Sequence, residues 1–172
     1  GIACLYTSSV SVYADRETGP ITPETEPDGT SDYALYKLAC EERVRAADPG
    51  AVIARIGWQI GTDPGSNNMV DFLHTRARED GAVHAGTRWY PACSFLEDTA
   101  AVLYRLRDEA APGIYLVDGN RHLSFFEIAS ALNRIRGRPW QVLPADEPVL
   151  DLRMVDRRVE RPAIEGRLGL HA

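Results

Sequence analysis

The distribution of apolar residues along the chain predicts a parallel sheet with helical connections. Three short runs are almost continuously apolar, as in strands that are covered on both faces: 1–9, 51–58 and 113–118. The first run ends in the hydroxyls of Ser8 and Ser9, so its strand delivers polar groups at its carboxyl end. Because ligands of open α/β sheets bind at this end, we expect a functional site there.

The segment between the first two runs predicts a helix from Tyr33 to about Ala47. Thr30 or Ser31 stands at the N-cap position, and Asp48-Pro49-Gly50 ends the helical pattern. A strand, a helix and a second strand in this order predict a parallel β-α-β unit.

Later helices are indicated by their capping residues. Asn67 or Asn68 caps a predicted helix that ends at Gly81, and the residues between 58 and this cap are predicted to form a loop. Ser124 and Glu127 have the spacing of a capping box, which predicts the start of another helix.

Composition and charge exclude several classes of protein. With 172 residues the chain fits one domain or slightly more, and its 44% hydrophobic and 26% charged residues are typical of a globular protein. The net charge of −6 argues against a general nucleic-acid binder, and no apolar run reaches transmembrane length. The cysteines are far apart and the histidines lack metal-ligand spacing, so we expect reduced thiols, a cytoplasmic protein and no metal.

Tyr33 and Lys37 form the first candidate for chemistry. Lys37 is the only lysine of the chain, and four residues of helix place it on the same face as Tyr33. A tyrosine titrates near ~10, and an adjacent ammonium favours the phenolate and lowers that pKa. The pair predicts a general acid/base that works near neutral pH, with an exposed Tyr and Lys of no chemical role as the alternative.

Three motifs in order resemble a known family. The first strand ends in 8–13 (Ser-Ser-Val-Ser-Val-Tyr), an acidic loop follows at 24–27 (Glu-Thr-Glu-Pro), and Tyr33 to Lys37 is a Tyr-x-x-x-Lys motif. They resemble the extended short-chain dehydrogenase/reductases, which are NAD(P)-dependent nucleotide-sugar epimerases, dehydratases and reductases. The resemblance implies an α/β fold with the second part of a Rossmann-like parallel sheet and a smaller substrate-binding subdomain.

The same resemblance implies domains and roles. Residues 1–62 would belong to the NAD(P)-binding domain and 63–172 mainly to the substrate-binding subdomain, with 95–118 returning to the sheet. Ser9, Tyr33 and Lys37 would be catalytic, and Tyr33 and Lys37 would also contact NAD or NADP. Ser9 would hydrogen-bond the reacting oxygen of the substrate.

The sugar side of the site is also implied by the resemblance. In the dTDP-4-dehydrorhamnose reductase subgroup a tryptophan that touches the sugar follows the catalytic tyrosine at the spacing of Trp58 from Tyr33. Core packing is the alternative for Trp58. Arg88 is a candidate for a nucleotide phosphate, with a surface arginine as the alternative. Further substrate-binding candidates are Gln59, Asn67 and Asn68.

One expected motif is missing from the sequence. Family members hold the cofactor pyrophosphate at a glycine-rich turn, and no Gly-x-Gly-x-x-Gly or Gly-x-x-Gly-x-x-Gly occurs here. We therefore expect a longer native protein, and a non-catalytic dinucleotide-binding or regulatory subunit, or an inactive fragment, remains the alternative to an enzyme. The expected partner is a nucleotide-sugar, with a homodimer and a separate amino-terminal piece left open, and neither nucleic acid nor membrane.

Overall fold

The computed structural model describes residues 4–16, 18–62 and 66–170. The strands are β1 (Leu5–Ser9), β2 (Val52–Ile56), β3 (Trp58–Ile60), β4 (Val83–Gly86), β5 (Trp89–Tyr90), β6 (Cys93–Phe95), β7 (Gly113–Val117), β8 (Val142–Ala145) and β9 (Leu150–Asp151). The helices are α1 (Asp32–Ala47), α2 (Met69–Asp80), α3 (Leu96–Glu109), α4 (Phe125–Ile135) and α5 (Ile164–Arg167). The first three residues of the first predicted strand, and 63–65 of the predicted loop, lie outside the described residues.

The main sheet is parallel and has the order β1-β2-β7. Helix α3 covers one face, where Val102 and Leu106 pack against side chains of β2 and β7. On the other face, Leu38 of α1 packs against a core that includes Leu116 of β7. The α/β fold class predicted from the sequence is confirmed.

The prediction of one continuous strand over 51–58 is wrong. β2 ends at Ile56, and Trp58 begins β3, which pairs with β6 outside the main sheet. A Cβ on Gly57 would lie 2.5 Å from the carbonyl carbon and oxygen of Ala92, so the chain changes sheets at a point where only glycine fits. For the same reason Gln59 lies in a strand and not in the predicted loop.

A second core lies beyond this break, between β3, β4 and β6 and helices α2 and α4. β4 pairs with β8, and β5 pairs with β9, both in parallel. The largest fully buried side chains of this core are Ile60, Met69, Leu73, Phe125, Ile128, Leu132, Ile164 and Leu168.

The predicted helix caps are confirmed at three positions. Ser31 caps α1 and accepts from the backbone N–H of Ala34. Asn68 caps α2, which ends at Gly81 with a positive φ of 76°. Ser124 and Glu127 form the capping box of α4. These contacts are local in sequence, which is why the pattern predicted them.

The outer edge of β7 is closed by the segment that follows β9. The buried Asp156 accepts from the backbone N–H of Leu116 at 3.2 Å, and Arg158 donates to the carbonyl of Ile114 at 2.7 Å. Just past β7, the buried Asp118 accepts three backbone N–H groups at 2.7–2.9 Å, from Cys93, Asn120 and Met154. Within the described ranges, no helix is long and apolar enough to cross a membrane.

Candidate active site

Lys37 projects from α1 onto β1. Its Nζ donates to the carbonyl of Thr7 at 3.0 Å and to the hydroxyl of Tyr6 at 3.3 Å. Desolvation and a hydrogen bond with Cys40 raise the pKa of Tyr6 to about 12, so Tyr6 is a neutral phenol that accepts from the ammonium. An ammonium has three donors. Since Lys37 makes these two hydrogen bonds to described groups, one N–H remains for a further acceptor.

Tyr33 lies in the first turn of α1 with half of its surface (52%) exposed. The Nζ of Lys37 lies 5.9 Å from the centre of its ring. The two side chains therefore share one face of the helix, as their spacing predicted, and the phenol faces solvent where a substrate can reach it.

Ser9 is the last residue of β1. Its Oγ accepts from the backbone N–H of Ser11 at 3.1 Å and lies 3.1 Å from the Ser11 hydroxyl, within a single 3-10 turn at 10–12. A cleft of about 360 Å³ lies beside this turn, lined by its Val10 and Ser11 and, from the start of α1, by Thr30 and Ser31. The cleft is therefore lined on one side by residues that follow Ser9 and on the other by residues that precede Tyr33.

A buried polar network that sequence reasoning missed lies behind Lys37. Glu41 of α1 and Arg55 of β2 form a bidentate ion pair with N–O distances of 2.7 and 3.0 Å, and Arg55 also donates to the hydroxyl of Tyr13 at 2.7 Å. Two signals in the sequence could have identified it. Glu41 continues the four-residue spacing of Tyr33 and Lys37, and a charged Arg55 within an apolar strand needs a buried partner.

Trp58 lies in an aromatic cluster. The rings of Phe72, Trp89 and Phe125 have centroids 5.2, 6.2 and 5.9 Å from that of Trp58. Trp58 is partly buried against the second core, so it packs and still keeps part of its surface open.

The other predicted residues of the sugar side differ in their surroundings. Gln59 donates from Nε2 to the carbonyl of Gly57 at 2.9 Å, and its Oε1 is buried without a hydrogen-bond partner among the described groups. Asn67 is exposed, whereas Asn68 is buried and its Oδ1 caps α2.

Arg88 lies on the surface. Its Nε donates to the carbonyl of Asp146 at 3.3 Å, and its guanidinium lies 3.6 Å from the carboxylate of Glu147. Since more than half of the side chain is exposed, the guanidinium remains open to an anion.

The fold and these motifs have a counterpart among known families. The family described as "RmlD substrate binding domain" matches residues 1–149. The chain belongs to this family. The resemblance to the extended short-chain dehydrogenase/reductases inferred from the sequence is thereby confirmed, and all the predicted site residues lie within the matched RmlD segment.

Solved structures share the fold of this RmlD domain. The dTDP-4-dehydrorhamnose reductase of Bacillus anthracis, in complex with NADP, is 19% identical with a TM-score of 0.77, over 96% of this chain and 63% of that protein. The reductase of Clostridium acetobutylicum is 20% identical with a TM-score of 0.73, over 90% and 56%. The UDP-N-acetylglucosamine 4-epimerase of Bacillus cereus is 19% identical with a TM-score of 0.69, over 96% and 59%.

These likenesses define the fold and the extent of the match. This chain spans 63% or less of the length of these three solved relatives. No curated protein sequence matches it significantly.

Proposed function

We propose that this chain supplies the catalytic tyrosine and the sugar site of an NAD(P)-dependent oxidoreductase or epimerase that acts on a nucleotide-linked sugar. The observation that carries the proposal is the placement of Tyr33 and Lys37 on one face of α1, with the ammonium fixed on the strand that ends at Ser9. Membership of the RmlD family, and a shared fold with an NADP-bound reductase, support it.

Tyr33 would move the proton. In the reducing direction its hydroxyl gives a proton to the keto oxygen of the sugar, and in the oxidising direction the phenolate takes it back from the sugar hydroxyl. When bound, the cofactor would supply the hydride transfer to or from the carbon that carries this oxygen. Ser9 would donate a hydrogen bond to the same oxygen and hold it beside Tyr33.

Lys37 fits the nicotinamide-ribose end of such a cofactor. Its free N–H would donate to a ribose hydroxyl, and its position 5.9 Å from the centre of the Tyr33 ring would bring that ribose beside the tyrosine. The pyrophosphate end is different, since this sequence has no glycine-rich turn, and its binding residues would come from outside the chain.

The sugar would lie over the open side of Trp58. The half-buried amide of Gln59, whose Oε1 has no partner among the described groups, would rotate to accept from a sugar hydroxyl, and the exposed amide of Asn67 would contribute a second polar contact. Asn68 would act through the helix that it caps. Arg88, with its exposed guanidinium, would bind a phosphate of the nucleotide.

The test uses the longest natural polypeptide that carries this chain. Binding of NADPH and NADH is measured first by quenching of intrinsic fluorescence, and turnover is then followed by cofactor absorbance with a panel of nucleotide-linked keto sugars. We expect cofactor consumption with at least one of these sugars. Cofactor binding without turnover in either direction across the panel would contradict the enzyme and support a non-catalytic dinucleotide-binding subunit.

A further inference from the structure

A buried ion pair joins α1 to β2 one helical turn after Lys37. Glu41 and Arg55 are 1% and 5% exposed, and two N–H groups of the guanidinium meet the two carboxylate oxygens of Glu41. A parallel pair of hydrogen bonds between two planar groups fixes orientation as well as distance. The pair therefore restrains both the rotation of α1 and its position along the strand.

Tyr13 brings a third segment into this network. Its hydroxyl accepts from the remaining terminal nitrogen of Arg55 at 2.7 Å, and the residue is 4% exposed. Burial raises the pKa of Tyr13, so the hydroxyl stays neutral and can accept. Tyr13 directly follows the 3-10 turn that begins after Ser9, and the guanidinium is thereby tied to the segment that carries this serine.

Two residues of this network lie close in the fold to the predicted catalytic residues. Glu41 lies one turn beyond Lys37 and two turns beyond Tyr33 on the same face of α1. Arg55 pairs in register with Ser8, next to Ser9. Helix α1, which carries Tyr33 and Lys37, is therefore bonded to the guanidinium of Arg55, and β1, which ends at Ser9, lies beside it.

Apolar packing restrains α1 less than the ion pair of Glu41 and Arg55 does. Ala34 and Glu41 are its only fully buried side chains, and all its residues are described. Ala34 is small and Leu38 is only partly buried, so these apolar contacts restrain rotation and sliding of the helix less than a bidentate ion pair does.

We propose that Glu41, Arg55 and Tyr13 form a clamp that sets the register of α1 over β1 and thereby places the ammonium of Lys37. The inference rests on the proposed function only in treating Lys37 as a site residue. The three clamp residues are positioning residues, because each acts on the site through α1 or β1.

The chain offers a direct readout of this placement. Lys37 is the only lysine, so acylation by an amine-reactive ester, followed by mass spectrometry of the labelled peptide, reports on one side chain. The N-terminal amine is separated by peptide mass. Labelling needs no substrate or cofactor, and a failed clamp is therefore distinguishable from a failed assignment of function.

The variants are Tyr13→Phe and Glu41→Gln, with Glu42→Gln as the matched control. Glu42 is the adjacent, exposed glutamate of α1, so the control makes the same change in charge without touching the clamp. We expect Tyr13→Phe and Glu41→Gln to raise the acylation rate of Lys37 by roughly threefold or more, because its bonds to Thr7 and Tyr6 are less often formed. The control should label at the wild-type rate.

A double variant, Arg55→Leu with Glu41→Leu, separates positioning from stability. It replaces both buried charges by apolar side chains, which restores stability without restoring the clamp. Lys37 should label as fast in this variant as in Glu41→Gln, and in the intact enzyme kcat should fall while KM for the sugar stays constant. Wild-type labelling of Lys37 in Tyr13→Phe and in the folded double variant would overturn the proposal.

Discussion

The ammonium of Lys37 donates to the carbonyl oxygen of Thr7 at 3.0 Å and so joins α1 to the strand that ends at Ser9. A guanidinium is longer and planar, and it cannot take the same place between this carbonyl and the hydroxyl of Tyr6. We predict that Lys37→Arg lowers kcat of the intact protein by about tenfold or more. Arg43→Lys, an exposed change on the same helix, should leave kcat within about twofold. Wild-type kcat in Lys37→Arg would contradict this role.

Gly57 is predicted to be the least replaceable glycine at the junction of the two cores. A methyl group there would collide with the backbone of Ala92 at 2.5 Å, which cannot move aside as a flexible side chain can. We expect Gly57→Ala to lower the free energy of unfolding by about 2–4 kcal/mol, measured by chemical denaturation. Gly166→Ala is the control, because a Cβ on this glycine of α5 meets nothing within 4 Å. Equal stability of the two variants would show that the chain can relax around the contact.

The buried ion pair makes a prediction about stability that is separate from its role in positioning. Arg55→Leu leaves the carboxylate of Glu41 buried without its partner, and we expect a loss of about 3–5 kcal/mol in the free energy of unfolding. Adding Glu41→Leu removes the unpaired charge and should recover most of that loss. A double variant as unstable as Arg55→Leu alone would mean that packing, and not the orphaned charge, causes the destabilisation.

Asp118 predicts a pH dependence of stability. Burial raises its pKa from the ordinary 3.8 to about 7, although three backbone N–H groups and Arg161 act in the opposite direction. Between these two values the native state holds a proton that the unfolded state has lost, so the free energy of unfolding falls as the pH rises. A shift of this size corresponds to roughly 4 kcal/mol.

The comparison with Asp118→Asn isolates this contribution. The stability of the wild type relative to the variant should be greatest below the lower pKa, decrease towards neutral pH and then stay level. Denaturant unfolding of both proteins across this range measures the difference. A relative stability that rises with pH would show that the N–H groups from Cys93, Asn120 and Met154 hold the carboxylate ionised.

Local features of the fold could be predicted from the sequence, and contacts between distant residues could not. Ser31, Asn68 and Ser124 are caps whose partners lie within three residues, so spacing alone indicates them. The break at Gly57 has its cause in Ala92, and both sides of the break are apolar, so the pattern predicted one strand.

The candidate site shows the same division. The spacing of Tyr33 and Lys37 and the end of β1 at Ser9 were enough to place these three residues on adjoining elements. The partners of Arg55 were not predictable from spacing within its strand, because Glu41 and Tyr13 reach it from a helix and from a turn. The ring contacts of Trp58 depend on the packing of the second core in the same way.

The most direct test of the central claim compares two tyrosines of α1 in the intact protein. Tyr33 and Tyr36 are 52% and 64% exposed, so either hydroxyl can be removed with little effect on packing. With the cofactor and sugar that support turnover, Tyr33→Phe should lower kcat by about 100-fold or more, whereas Tyr36→Phe should stay within about twofold of the wild type. Unchanged kcat in Tyr33→Phe would contradict the assignment of Tyr33 as the general acid/base.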